Sequence, residues 1–312
     1  MEDAVPSVFR APQVIVVGDR MQMPPTRFFS SDDDEDSELI IDEQGHRLSI
    51  SLDSDSFLTQ ADTALDSSML NWHYRSRYES LIAYSNHSFY AGRLATVPDT
   101  ALEPGPQHEL AATKAEDAAI NAHEALRRPI SFHHLEHGEY RDRRNTPEAD
   151  YVAELVRTVL RGDSGMTIGV VAFSEAQQAA IESSLEELAS IDPQFAQLYE
   201  QEVTRTDDDE FVGLFVKNLE NVQGDERDLI IMSVCYGPNS SGRIRMNFGP
   251  INHAGGERRL NVIFSRARQH MAIVASMRGS QITNLHNEGA AHLAGFLSYA
   301  AAESRGETNV SA

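Results

Sequence analysis

Cysteine is nearly absent from this 312-residue sequence, in which Cys235 stands alone. An intramolecular disulfide is therefore excluded, and we expect a reducing cytoplasm as the compartment. No apolar run approaches the ~20 residues that a membrane helix requires, so we expect no membrane partner. The acidic start MEDAVPSVFR also differs from a secretory signal, which has a basic region followed by an apolar stretch of ~7–15 residues.

Lysine is almost as scarce, since only Lys114 and Lys217 occur. A P-loop requires the pattern GxxxxGK[ST], because its lysine reaches the β and γ phosphates while backbone amides surround them. The two lysines follow Thr113 and Val216, so this sequence contains no P-loop. A nucleophile elbow, a GxGxxG fingerprint and a metal-ligand set are also missing, which disfavours an unrelated α/β enzyme with a small-molecule pocket.

Positive charge is in short supply overall: 26 basic residues stand against 48 acidic ones, for a net charge of −22. A uniformly acidic surface repels nucleotides and nucleic acids, so a phosphate-binding role requires a local reversal of charge. Residues 1–70 contain 15 acidic residues and four arginines, whereas residues 238–278 contain seven arginines and one glutamate. We therefore expect any phosphate contacts at the second of these segments.

Apolar segments that alternate with amphipathic ones predict an α/β protein whose parallel sheet is covered on both faces. The predicted strands span residues 14–17, 129–132, 167–173, 211–216, 228–234 and 271–275. The predicted helices span residues 76–91, 147–162, 175–188 and 258–268, with one more beyond His292. Residues 101–125 read as a loop or a loosely packed helix.

Four segments have polar residues at strand ends, where parallel sheets bind ligands. They are VVGDRMQMPPT (16–26), NWHYRSRYESLIAYSNHSFY (71–90), VKNLENVQGDERDLIIMSV (216–234) and GGERRLNVIFSRAR (255–268). In this order they closely resemble motifs III, IV, V and VI of superfamily I DNA/RNA helicases, in the branch of the nonsense-mediated-decay helicases and their bacterial relatives. The string VVAFSEAQ (170–177) is similar to the segment between motifs IV and V.

The resemblance implies a RecA-like fold and a division of the chain into four parts. Residues 1–29 would be a remnant of a first motor domain, and residues 30–68 an acidic, partly disordered insertion. Residues 69–285 would form the second motor domain, followed by a C-terminal helix and tail over residues 286–312. Without its sheet neighbours, the strand in the first part would have an exposed edge, so we expect marginal order there.

The same resemblance assigns roles to individual residues. The implied catalytic residues are two γ-phosphate arginine fingers and a neutral sensor, respectively Arg75, Arg266 and Gln22. The implied nucleotide-binding residues are an adenine platform, a ribose acceptor and the turn beside it, respectively Tyr74, Glu226, Gln223 and Gly224. The implied single-strand contacts are Ser174, Gln177 and Asn218. Asn218 and Ser265 replace threonines that are usual in the family, which bears on strand contacts more than on nucleotide contacts.

Two functions remain open from the sequence. The first is the C-terminal motor half of a helicase, which would act on single-stranded DNA or RNA and use ATP and Mg²⁺ only with a P-loop half, in cis or separately encoded. The second is a non-catalytic nucleic-acid-binding remnant of such a helicase. The acidic pair that positions magnesium precedes motif III in the family, and this chain begins at about that point.

Two further patterns suggest metal sites, and both are disfavoured. His133 and His134 belong to an HHxxH string with His137, but neighbouring residues of a strand point to opposite faces and no cysteine completes the set. Asp42 and Glu43 follow an apolar run and imitate a magnesium-binding pair. They stand after motif III, whereas the family order requires them before it. We therefore expect no metal site formed by these residues.

Overall fold

A computed structural model describes residues 5–10, 12–23, 39–41, 47–49, 56–97 and 108–307. The chain divides into two compact units, residues 1–70 and residues 71–312. Asp42, Glu43 and most of the predicted acidic insertion lie outside the described residues. No helix in the described ranges is both long enough and apolar enough to cross a membrane.

The first unit contains short elements. They are helix α1 (Val5–Val8), the antiparallel strands β1 (Leu39–Ile41) and β2 (Arg47–Ser49), and helix α2 (Phe57–Ala64). The strand predicted over residues 14–17 is wrong, because residues 12–19 have no regular structure. Ile15 and Val17 are 79% and 82% exposed. A strand needs hydrogen bonds from a neighbour, and none of the described strands pairs with this segment.

The second unit is built on a six-stranded sheet in which all strands are parallel. Its strands are β3 (Leu110–Ala112), β4 (Ile130–Leu135), β5 (Ile168–Ala172), β8 (Phe215–Asn218), β9 (Arg227–Ser233) and β10 (Ala267–Ala275). Two short strands, β6 (Thr206–Asp207) and β7 (Glu210–Phe211), form a separate hairpin. The order in the sheet is β3-β4-β10-β9-β5-β8. The predicted α/β class with a parallel sheet is therefore confirmed.

Helices cover both faces of this sheet. They are α3 (Ser80–Tyr90), α4 (Ala118–Ala125), α5 (Thr146–Arg161), α6 (Glu175–Ile191), α7 (Pro193–Val203), α8 (Gly256–Phe264) and α9 (Glu288–Ser304). Helices α4 to α7 pack together around the buried residues Tyr151 and Leu155 of α5. Helices α3, α8 and α9 pack together on the other face, where the rings of Phe264 and Phe296 stack with centroids 3.6 Å apart.

Three segments of the second unit differ from the predictions. The strand predicted over residues 211–216 is interrupted at Gly213, where the chain crosses the end of α7 and an added Cβ would lie 2.2 Å from the Glu202 carbonyl oxygen. Helix α8 ends at Phe264, so that residues 265 and 266 form a turn and β10 starts at residue 267. The segment predicted to be loose contains β3 and the well-packed α4, in which Ala118 is fully buried.

A buried carboxyl group ties together the carboxyl ends of the central strands. Glu148, in the first turn of α5, is completely buried. Its Oε1 accepts hydrogen bonds from Ser233 Oγ at 3.1 Å and from the Cys235 backbone at 2.9 Å, and its Oε2 accepts one from Ser276 Oγ at 3.3 Å. Ser233 ends β9, whereas Ser276 directly follows β10. One side chain of α5 therefore holds the ends of two neighbouring strands.

Amide side chains extend this network. Asn145 donates to Ser276 Oγ at 2.8 Å. The amide of Gln177 accepts from the Asn145 backbone N–H at 2.7 Å and donates to its carbonyl oxygen at 3.1 Å. Gln177 also donates to Ser233 Oγ at 2.9 Å. Because buried polar groups are costly unless they are hydrogen-bonded, these side chains specify one arrangement of this edge.

The Glu148 carboxyl group makes stability depend on pH. Burial raises its pKa from 4.5 to about 8, against the opposing effect of its hydrogen bonds. The folded protein thus binds the extra proton between these two values, so the contribution to stability is full below pH 4.5 and is lost as the pH rises through about 8. We predict that Glu148→Gln, which stays neutral, lacks this loss.

The measurement is urea unfolding of the wild type and the variant at pH 5.5 and 8.5. The wild type should lose stability relative to Glu148→Gln on going to the higher pH, by at most ~1.4 kcal/mol per pH unit. The control is Glu175→Gln, which removes an exposed carboxylate and should leave the pH dependence unchanged. A constant difference between wild type and Glu148→Gln at both pH values would contradict the assignment.

Candidate functional site

The segment before α3 lies along the amino end of β10. The Arg77 backbone N–H donates to the Arg268 carbonyl oxygen at 2.7 Å, and Ser76 Oγ donates to the Ala267 carbonyl oxygen at 3.3 Å. Arg75 Nη1 donates to the Ser265 carbonyl oxygen at 3.4 Å. These contacts bring motifs IV and VI together although they are almost 200 residues apart in the sequence.

The carboxylate of Glu226 lies at the centre of this site. Glu226 directly precedes β9, and Ser265 and Arg266 directly precede β10, its parallel neighbour. The carboxylate accepts hydrogen bonds from Arg75 Nε and, at 2.9 Å, from Arg268 Nε. Burial raises the pKa of Glu226, but the hydrogen bonds from Arg268 and the charge of Arg75 outweigh burial and lower it below its ordinary value. Glu226 is thus an anion held between two arginines.

Arg266 is a buried cation beside this group, with a side chain that is only 2% exposed. Its Nε donates to the Val262 carbonyl oxygen at 2.7 Å, and its Nη2 donates to Ser265 Oγ at 3.1 Å. Burial and, secondly, the positive charge of Arg75 lower its pKa from its ordinary value to about 10. Its guanidinium is therefore fixed in direction and lies within the field of a second cation, an arrangement that a bound anion would stabilise.

The turn that carries Arg75 is organised by His73, which none of the motif assignments singled out. Its Nε2 lies 3.2 Å from the Ser76 backbone nitrogen, from which it accepts a hydrogen bond, and 2.9 Å from Ser76 Oγ. Burial and the charge of Arg75 lower the pKa of His73 to about 4. The imidazole is thus neutral at pH 7 and able to accept. The signal in the sequence for this turn is the spacing of three residues between His73 and Ser76.

The other residues that are predicted to act on the nucleotide are divided between the two units. Tyr74, next to Arg75, has an 83% exposed side chain. Gln223 is exposed, and Gly224 has a φ of +94°, which favours glycine in the turn before Glu226. Gln22 belongs to the first unit, where its Nε2 donates to Asp19 Oδ2 at 2.8 Å. The second unit therefore contains every predicted nucleotide residue except Gln22.

The three predicted single-strand residues lie at the opposite, carboxyl edge of the sheet. Ser174 is the N-cap of α6 and accepts from the Gln177 backbone N–H at 3.1 Å. Gln177 is fully buried, with its amide engaged by Asn145 and Ser233. Asn218 ends β8, is 4% exposed and has a side-chain oxygen without a hydrogen-bond partner among the described residues. Direct strand contacts by these residues stay a prediction, and Gln177 is occupied within the protein.

The three histidines of the HHxxH string lie in three different environments. His133 is completely buried, with its ring nitrogens 2.9 Å from Ser131 Oγ and 2.7 Å from the Tyr151 hydroxyl. Burial lowers its pKa to about 3. His134 is half-buried and His137 is exposed. Within the described ranges, no group of three or more histidine, cysteine, aspartate or glutamate side chains is placed to hold a metal ion.

Two curated proteins are similar to almost the whole chain. An uncharacterized ATP-dependent helicase of Mycoplasma genitalium is 32% identical over 317 residues, which cover 98% of this chain and 25% of that protein. Its homologue in Mycoplasma pneumoniae is 31% identical over 319 residues, which cover 99% of this chain and 25% of that protein. The chain thus spans about a quarter of the length of these relatives. They confirm the resemblance to helicases that the four motifs predicted.

A solved structure, the C-terminal domain of a possible DNA helicase from Lactobacillus plantarum, is 14% identical and covers 65% of this chain and 86% of its own, with a TM-score of 0.30. The sequence profile of the AAA_12 family, described as an AAA domain, matches residues 53–278. That match includes the six strands of the sheet, the Glu226 site and the Glu148 network. The chain therefore belongs to the AAA_12 family of AAA domains.

Proposed function

We propose that this chain is the part of an ATP-dependent helicase motor that supplies arginine fingers and single-strand contacts. The observation that carries the proposal is that Glu226 binds Arg75 and Arg268 while the buried Arg266 lies beside them, at the amino ends of two neighbouring strands. The P-loop and the magnesium-binding acids would come from another part of the same polypeptide or from a separate half. Single-stranded DNA or RNA would be the partner.

The arrangement suits phosphoryl transfer. Its transition state spreads negative charge over the γ-phosphoryl oxygens, so catalysis depends on cations that are already oriented. Arg266 is oriented by Val262 and Ser265, and its burial strengthens its interaction with an anion. Arg75 already binds a carboxylate, and the planar guanidinium fork recognises phosphate in the same way. Both side chains therefore fit the predicted role of γ-phosphate fingers.

Other residues would bind the nucleoside. The exposed ring of Tyr74 offers a face for adenine, and Glu226 offers a carboxylate oxygen to the ribose. Gln223 and Gly224 form the turn that places this carboxylate. A magnesium ion would be held by the nucleotide phosphates together with one or two carboxylates, and in the helicases that this chain resembles those carboxylates precede motif III. We therefore assign magnesium binding to the P-loop half.

A second candidate is a nucleic-acid-binding remnant without catalysis. The residues that favour it are Ser174 and Asn218, which lie at the carboxyl edge of the sheet, away from the Glu226 site. The two candidates differ at the Glu226 site, because a remnant has no need to bind a triphosphate there. Nucleotide binding at that site therefore discriminates between them.

We predict that the chain binds ATP weakly and that Arg75→Ala weakens this binding about tenfold, since a hydrogen bond to a charged group contributes ~1.5–3 kcal/mol. Trp72, the single tryptophan, is 60% exposed and stands two residues before Tyr74, so its fluorescence reports on the site. The control is Arg93→Ala, which removes an exposed arginine elsewhere. Equal affinities for ATP in the wild type and Arg75→Ala would favour the remnant.

We also predict that the chain alone does not turn over ATP, because it lacks the P-loop lysine that contacts the β and γ phosphates. The measurement is steady-state phosphate release with single-stranded DNA or RNA present. Turnover that Arg266→Ala abolishes, in a variant shown to be folded by circular dichroism, would contradict the prediction.

A further inference from the structure

The seven arginines of residues 238–278 do not form one basic surface. Four of them pair with carboxylates: Arg258 with Glu257, Arg259 with Glu220, Arg268 with Glu226 and Arg278 with Glu109. Arg266 is buried beside the Glu226 site. Arg243 and Arg245 are exposed and make no ion pair with any residue that the structure describes. These two lie in the loop that follows β9, at the carboxyl edge of the sheet.

Two more exposed arginines, Arg143 and Arg144, lie in the loop that follows β4, in the string RDRRN (141–145). Neither has an ion pair within the described part of the chain. Arg141 differs, because its Nε lies 3.5 Å from Asp142. Since β4 and β9 are both neighbours of β10 in a parallel sheet, the two loops leave the same edge.

Direct contacts join the two loops. The Tyr140 backbone N–H donates to the Pro238 carbonyl oxygen at 2.9 Å, and the rings of Tyr140 and Tyr236 have centroids 5.3 Å apart. Burial raises the pKa of Tyr140, whereas the charges of Arg143 and Arg245 both act to lower it. One arginine from each loop therefore contributes to the positive charge that acts on this hydroxyl group.

The first loop is held in an unusual conformation. Asp142 and Arg143 have φ values of +53° and +62°, in the left-handed region that side chains other than glycine rarely adopt. Ser174 Oγ donates to the Arg143 carbonyl oxygen at 2.6 Å, and Gln177 holds both backbone groups of Asn145. Ser174 and Gln177, which are predicted to contact single-stranded nucleic acid, thus hold the loop that carries Arg143 and Arg144. Backbone strain of this kind persists where the surroundings enforce it, often at binding sites.

We propose that Arg143, Arg144, Arg243 and Arg245, together called the arginine patch, bind the phosphate backbone of a single-stranded nucleic acid. This inference deepens the proposed function and rests on it. In a chain of net charge −22, four arginines that have no ion pair within the described ranges lie on two joined loops, and they make a local positive field that suits a polyanion. Guanidinium groups contact phosphates without reading the bases, so binding is independent of sequence. Ser174 and Gln177 act as positioning residues for the patch.

The experiment measures fluorescence anisotropy of labelled 20-nucleotide dT and U oligomers across a range of salt concentrations. Arg143→Gln combined with Arg144→Gln should weaken binding at least tenfold. The plot of log affinity against log salt has a negative slope, and the double variant should make this slope shallower by about 1.4, because each phosphate contact on a single strand contributes ~0.7. Arg143→Lys combined with Arg144→Lys should retain most of the affinity, since the charge remains. The dT and U arms compare DNA with RNA.

The matched control is Arg127→Gln combined with Arg161→Gln, which removes the same charge from segments that precede β4 and β5, at the amino edge. It should leave the salt slope unchanged. An equal effect of the two double variants would overturn the patch, as would equally tight binding of poly-glutamate of the same length. If the wild type binds no strand at 50 mM salt while ATP still binds in an Arg75-dependent manner, the patch fails and the nucleotide part of the proposed function stands.

Discussion

The hydrogen bonds accepted by the buried carboxyl group of Glu148 are the interaction on which the carboxyl edge of the sheet depends. They fix Ser233 at the end of β9, Cys235 just beyond it, and Ser276 directly after β10. An unsatisfied buried donor costs ~1–3 kcal/mol, so losing the acceptor would expose several groups to that cost at once. A Cβ on Gly138 would lie 1.7 Å from Ser276 Oγ. The loop after β4 thus fits directly against the fixed strand ends.

The nucleotide site and the nucleic-acid site that we propose lie at opposite edges of one sheet. At the amino edge, Glu226 gathers Arg75 and Arg268, and Arg266 is buried beside them. At the carboxyl edge, the Glu148 network holds the loops that carry the arginine patch. Both edges are connected through β9 and β10, which run from one site to the other. The nucleotide site and the nucleic-acid site that we propose are therefore joined by two continuous elements of the sheet.

The sequence predicted the parallel α/β sheet, because long apolar strands leave strong local signals. Its motifs also singled out Arg75, Glu226 and Arg266, which the structure brings together. They did not single out His73 or Arg268, and the roles of all these residues stay predictions. It misplaced the strand at 14–17, since an apolar run becomes a strand only when another strand pairs with it. The Glu148 network could not be predicted, because its members are dispersed over 130 residues and look like ordinary surface residues. The same holds for Gln177, whose burial depends on the fold. The division of the arginines into paired and unpaired groups required their neighbours in space.

The nucleotide and the nucleic acid, as we propose, occupy opposite edges of this sheet. Photocrosslinking separates the two edges, with an azido-adenine nucleotide and a 4-thiouridine-containing oligonucleotide applied to the same protein and the adducts mapped by mass spectrometry. We expect nucleotide adducts on the peptide that contains Tyr74 and oligonucleotide adducts on the loops that contain Tyr140 and Tyr236. Oligonucleotide adducts confined to the Tyr74 peptide, or nucleotide adducts confined to the two loops, would contradict this proposal.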